Sequence, residues 1–172
     1  MKKHTGILIL TVIVMNLATL TSAMGQYHDN GQISKKIEAL GRQYPDLCSV
    51  RSLAKTSGGK DIWVITIGTG IRDNKPGVAV VGGIDGKYLI GRELALGFAE
   101  RILSSSSEKE ISELLGKVTL YVFPDVSPDA SDQFFSGLKY ERSINSRTTD
   151  DDKDFLFDED PCEDLNNDGF IT

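Results

Sequence analysis

Histidine is nearly absent from this chain: two in 172 residues, His4 and His28. Hydrolytic zinc is typically held by imidazoles together with a carboxylate, plus a water. His4 falls inside an N-terminal apolar segment and His28 just beyond it, so a two-imidazole zinc centre cannot be assembled from the rest of the chain. Cysteine is also scarce, with only Cys48 and Cys162, which excludes a disulfide-built scaffold and a thiolate metal cluster. The two lie far apart in sequence, and two arrangements stay open: a bridge between them, or a buried Cys48 and a free Cys162. There is no cluster of lysine and arginine to neutralise phosphates, so no nucleic-acid partner is expected. Only one long apolar run is present, at residues 6–20, and no second run could span a bilayer.

That run begins after the basic "MKK" and ends in the small residues of "TSAMG". This is the layout of a secretory signal peptide, assigned to residues 1–25. Thr11, Asn16 and Thr19 interrupt the apolar stretch, which favours a cleaved leader over a membrane anchor. No cysteine follows the run to carry a lipid. The mature chain is therefore expected to be secreted or periplasmic, with no stable membrane anchor after cleavage. Loss of Lys2 and Lys3 takes the formal charge from −6 to −8. Nearly all of it sits between Asp150 and Asp168, where ten acids meet one lysine.

Periodicity organises the segment between. Ile33, Ile37, Leu40 and Tyr44 form one helical stripe ending at Pro45. "CSVRSLA" (48–54) and "IWVITIG" (62–68) read as strands of an antiparallel hairpin around the glycines of "TSGGKD" (56–61). "VAVVGGI" (78–84) reads as a strand buried on both faces. A helix with a wide apolar face covers 89–103, and a short helix covers 107–116, with Ser107 and Glu110 at capping-box spacing and Gly116 at its end. "KVTLYVFP" (117–124) is a further strand, and from 125 onward the pattern reads as loop. The order predicts an α/β fold, a mixed β-sheet flanked by helices on both faces.

"GGIDGKYLIGREL" (82–94) joins the third strand to its helix, where open α/β sheets bind ligands. The loop offers Asp85, Lys87 and Tyr88. With "YPDLCSVRSLAKTSGGKDIWVITIG", "FPDVSPDASDQFF" and "KYERSINSR", it resembles, in order, the opening of the zinc carboxypeptidase family (carboxypeptidase A-like). The resemblance implies an incomplete α/β/α domain over residues 26–149, corresponding to roughly the first half of a complete peptidase domain, and a zinc-dependent release of carboxyl-terminal residues from peptides. It also implies a metal loop of the form His-x-x-Glu. In register, Asp85 stands at the His position and Tyr88 at the Glu position, so both zinc-ligand positions are changed. The family's second zinc histidine, carboxylate-binding pair and general-base glutamate lie further along than these residues, so the implied partner is the missing carboxyl-terminal half. Arg142 falls at the position of a substrate-polarising arginine, suited to a peptide or its terminal carboxylate. Ser127 and Ala130 replace the Asn and Gly of the family's Asn-Pro-Asp-Gly turn.

Each position also has a plainer reading: Asp85 as a carboxylate capping its own loop, Tyr88 as an aromatic at the rim, Arg142 as a surface arginine paired with the acidic block. A phenol is a poor zinc ligand until ionised. Zinc, the family's cofactor, is therefore not expected to bind, and the chain is expected to be catalytically silent. Two rivals remain: an exported, non-catalytic module binding peptide or cell-wall fragments, and a calcium-stabilised protein.

The calcium reading comes from residues 150–172. Asp150, Asp152 and Asp154 alternate, as do Asp164, Asn166 and Asp168, which Gly169 follows. Oxygens at positions 1, 3 and 5 with glycine at 6 match the first half of a calcium loop. Phe155 replaces that glycine in the first run, and the second lacks a closing glutamate.

Overall fold

The computed structural model describes residues 27–140, 142–143, 145–150, 152–158 and 163–171. The expected leader, residues 1–25, lies outside them, as does Cys162.

Helix α1, Asn30–Gln43, starts where the chain supplies its own cap. Asp29 accepts from the Gln32 amide at 2.7 Å, and the Gln32 side chain accepts from the Asp29 amide at 2.9 Å. This reciprocal arrangement satisfies two amides that the first turn leaves without partners. The helix buries Ile33, Ile37 and Leu40, the stripe that sequence spacing predicts. Strands β1 (Cys48–Lys55) and β2 (Asp61–Ile67) form the expected antiparallel hairpin, with an irregularity between Ser52 and Ala54. A 3-10 turn at Arg72–Asn74 leads to β3, Gly77–Val81. Helix α2 (Leu89–Ser104), helix α3 (Lys109–Lys117) and strand β4 (Thr119–Phe123) follow. Helix α4, Pro128–Gln133, is a short turn of helix in a stretch that the sequence pattern reads as loop. A two-residue strand β5, Lys139–Tyr140, pairs in parallel with β6, Phe170–Ile171.

The main sheet has the order β1-β2-β4-β3, antiparallel except for the parallel β3–β4 pair. This is the mixed α/β sheet with helices expected from the element order. Alternation along the strands sends Ile65 and Ile67 of β2 and Leu120 and Val122 of β4 into one apolar cluster. Ile37 of α1, Ala99 and Leu103 of α2 and Leu115 of α3 complete its centre. Each isoleucine, leucine or valine side chain so buried contributes about 1.5–3 kcal/mol. Cys48 belongs to the cluster as a free thiol, and burial pushes its pKa up to about 11 against the opposing charge of Arg72.

Two local expectations are corrected. β3 is not buried on both faces. It is a sheet edge, with Val78 44% and Val81 45% exposed, because β4 flanks it on one side only among the described residues. The capping box at Ser107 and Glu110 does not form. α3 is entered from Glu108 without a side-chain cap, and it runs through Gly116 to Lys117. Ser105 and Ser106 continue the turn after α2 through backbone bonds to Arg101 and Leu103, and this shifts the start of α3.

Candidate functional site

The loop between β3 and α2 is set by close packing rather than by its polar side chains. Gly83 adopts φ +56°, a left-handed conformation that favours glycine, and a Cβ there would sit 2.8 Å from the Cα of Asp125. At Gly86 a Cβ would meet the Ala130 side chain and lie 2.6 Å from the Ser131 amide nitrogen. The loop is therefore pressed against the turn at 124–131.

Behind it lies the most buried charge among the described residues. Arg92, in the first turn of α2, is fully buried. Its Nη1 donates to Asp125 at 3.0 Å, to Ser131 Oγ at 2.7 Å and to Asn30 Oδ1 at 2.8 Å, while Nη2 donates to the His28 carbonyl. The Phe135 ring lies 5.4 Å from the guanidinium carbon. Only Nε lacks a partner. Burial pushes the Asp125 carboxyl above its usual range, outweighing Ser131, Arg92 and the Ser127 amide, which all favour its charged form. The network ties together the chain before α1, the first turn of α2, the end of β4 and α4. The sequence does carry a signal for it that hydropathy alone passes over: Arg92 lies on the buried stripe of α2, between Leu89 and Ala95.

His28, just beyond the expected leader in sequence, is tied to a distant helix: its backbone nitrogen donates to Glu93 Oε1 at 2.8 Å and its Nδ1 lies 2.8 Å from Oε2. It is built into the start of α2.

Asp85 and Tyr88 flank the loop. Asp85 Oδ1 accepts from the Lys87 amide at 3.3 Å and its carbonyl from the Tyr88 amide at 3.1 Å, so the residue closes its own turn. Tyr88 is 61% exposed and stands at the start of α2, with the Lys87 ammonium 5.0 Å from its ring centre. Among the described residues, no group of three His, Cys, Asp or Glu side chains gathers here with metal-ligand spacing. A carboxylate, a phenol and an imidazole already engaged by Glu93 are not the donor set of a hydrolytic zinc.

Arg142 lies by a different anchor. Its Nη2 donates to the Asn145 carbonyl at 2.7 Å, and its charge reaches Asp129. Asp129 is buried and accepts from Thr56 Oγ1 at 2.6 Å, the Gly58 amide at 3.1 Å and the Ser146 amide at 2.9 Å. Burial raises its pKa, but those donors and the Arg142 charge together carry it below the usual carboxylate value. Asp129 thus clasps the tip of the β1–β2 hairpin to residues 142–146. Gly86 packs on Ala130 and Ser131, and the Arg142 charge acts on Asp129, so both segments border the same turn.

This arrangement of strand, glycine loop, helix and turn is found in known proteins. The zinc carboxypeptidase family model matches residues 33–168. The chain belongs to the zinc carboxypeptidase family. Carboxypeptidase E of Caenorhabditis elegans is 29% identical over 110 residues, covering 61% of this chain and 23% of that protein. Carboxypeptidase B of Astacus astacus is 27% identical over 122 residues, covering 71% of this chain and 39% of its own. Among solved structures, bovine thrombin-activatable fibrinolysis inhibitor in complex with tick carboxypeptidase inhibitor superposes with a TM-score of 0.60 at 19% identity, covering 77% of this chain and 40% of that one. This likeness concerns the fold. The chain spans about a quarter to two-fifths of the length of these curated relatives.

The acidic segment contains two loops of the same design. In the first, the Asp154 amide donates to Asp150 Oδ1 and Asp152 Oδ1, both at 3.2 Å, and the Phe155 amide donates to Asp150 Oδ2 at 3.0 Å. In the second, the Asp168 amide donates to Asp164 and Asn166, and the Gly169 amide to Asp164 Oδ2 at 2.8 Å. Phe155 at φ +73° and Gly169 at φ +84° occupy the same left-handed position. The carboxylates of Asp150, Asp152 and Asp154 lie within 4.8 Å of one another.

Proposed function

We propose that this chain is an exported, non-hydrolytic member of the zinc carboxypeptidase family, with residues 1–25 as leader, 26–149 as the family domain and 150–172 as an acidic appendage. One observation carries the reading: the loop at 82–88 presents Asp85 and Tyr88 where the family's resemblance calls for zinc ligands, and His28, the nearest imidazole in sequence, is engaged by Glu93. Close packing at Gly83 and Gly86 supports descent from a metal loop whose shape outlasted its ligands. No hydrolytic step is derived from these residues. What the domain retains for recognition is the half-buried Arg142, suited to a peptide carboxylate. The remainder of a carboxypeptidase domain, as a further stretch or a second chain, is the partner this reading calls for. Metal analysis of the purified protein, paired with an assay of carboxyl-terminal release, tests it. The expected outcome is no stoichiometric zinc and no chelator-sensitive trimming. Stoichiometric zinc with trimming overturns it.

A second reading concerns the acidic appendage, favoured by the shared hydrogen-bond pattern of its two loops. Oxygens at alternate positions with a left-handed sixth residue suit a hard cation such as calcium. Asp150, Asp152 and Asp154 would supply one set of ligands, and Asp164, Asn166 and Asp168 the other. Calorimetric titration with calcium decides it: weak, salt-sensitive binding is expected, and absence of heat removes the reading.

A further inference from the structure

The sheet face turned away from the apolar cluster carries a concavity. Register places Ser49 opposite Thr66, Thr66 opposite Tyr121 and Tyr121 opposite Ala79, one row across all four strands. The adjacent residues Cys48, Ile65, Ile67 and Val122 enter the cluster, so this row faces the other way. Three hydroxyl side chains thereby stand on neighbouring strands, about 4.8 Å apart from strand to strand. Beside them is a cavity of about 450 Å³, lined by Ser49, Arg51, Thr66, Arg72, Asp73 and Tyr121.

Its two arginines are unneutralised. Arg72 is fixed by neutral acceptors: its Nε donates to the Gly68 carbonyl, its Nη1 to Ser49 Oγ and its Nη2 to the Asp46 carbonyl, each at 3.1 Å. This holds the guanidinium in place without a carboxylate. Among the described residues the Arg51 side chain makes no hydrogen bond or ion pair, and neither do the hydroxyls of Thr66 and Tyr121. Asp73 is the one acid on the lining. In a chain of net charge −6, two arginines and a single acid on the lining of an open polar hollow leave an excess of positive charge and free donors. A fixed guanidinium also loses little freedom on engaging a ligand, and its remaining N–H groups suit oxygen anions.

We propose that this hollow binds an oxyanion, a carboxylate or phosphate group borne by a small polar ligand, with Arg51 and Arg72 supplying charge and Thr66 and Tyr121 supplying hydroxyl donors. The site uses none of Asp85, Tyr88 or Arg142, so it stands apart from the carboxypeptidase reading.

The test titrates the isotopically labelled full chain with inorganic phosphate and, separately, with acetate, at an ionic strength held constant with chloride. Amide resonances of residues 49, 51, 66, 72 and 121 are followed. Saturating shifts confined to that group are expected with at least one anion, and the anion that saturates at lower concentration names the bound group. Arg51→Gln should weaken binding tenfold or more, and Tyr121→Phe about threefold, with the unfolding midpoint unchanged. Arg51 is exposed and without partners, so its replacement leaves the fold intact. Linear, unsaturated shifts with both anions overturn the proposal, as does an unchanged dissociation constant in Arg51→Gln.

Discussion

Carboxylates meet opposite fates in two regions of this molecule. Around Arg92, Asp125 is withdrawn from water and held by a guanidinium, a hydroxyl and an amide from separate parts of the fold. In the loops at 150–155 and 164–169, acids turn back onto their own backbone within five residues and stay largely in solvent. The first region is long-range and the second local. A buried charge loses hydration and must recover it from fixed partners, so it locks distant segments together. A solvated charge keeps its hydration and organises only its own loop. The former therefore bears on the stability of the whole domain, and the latter on its own loop alone.

The comparison breaks most readily at Arg92. Arg92→Leu leaves Asp125 buried without its cation, and a loss of about 3–5 kcal/mol is expected in denaturant unfolding. A loss below about 1 kcal/mol would make the buried network a bystander. Gly86→Ala comes next: a Cβ pressed against Ala130 and the Ser131 backbone should cost about 1–3 kcal/mol by the same measurement. Asp129→Asn should cost about 1–3 kcal/mol at neutral pH, because an amide group faces donors that a carboxylate accepts. Its pH dependence sharpens the point. The folded pKa of Asp129 is depressed, so its contribution is present above the unfolded value near ~4 and is lost as pH falls through the folded value. Stability against pH should therefore decline less steeply on the acid side in Asp129→Asn than in the parent.

The acidic loops should respond weakly. Phe155→Gly relieves a left-handed residue that is 86% exposed, and should stabilise its loop by about 1 kcal/mol, read as slower amide exchange across 150–156. Asp152→Asn should leave stability within about 0.5 kcal/mol in chelator, while lowering any calcium heat. A large loss of stability without calcium would erase the contrast between the regions.

Legibility in the sequence follows the same division. The stripe of α1, the hairpin, the strand β4 and the alternating acids are all readable because each depends on neighbours a few residues apart. The metal loop is readable through resemblance, since its glycines and "GREL" keep their spacing. The roles of His28 and Asn30 were not readable, because both act on α2 more than sixty residues later. α4 is not legible in the sequence, because six residues give too short a stretch for a period to show. β3 looked doubly buried because its composition is apolar, whereas exposure depends on its place in the sheet.

The sequence by itself determined the family, the longer local elements and the poverty of imidazoles, since these are matters of composition and spacing along the chain. Only the tertiary structure decided that Arg92 is sealed in the interior, that β3 forms an edge, and that three hydroxyls and two arginines share one hollow. Those facts depend on which surfaces the fold brings together, and burial and register are properties of pairs of segments rather than of either one alone.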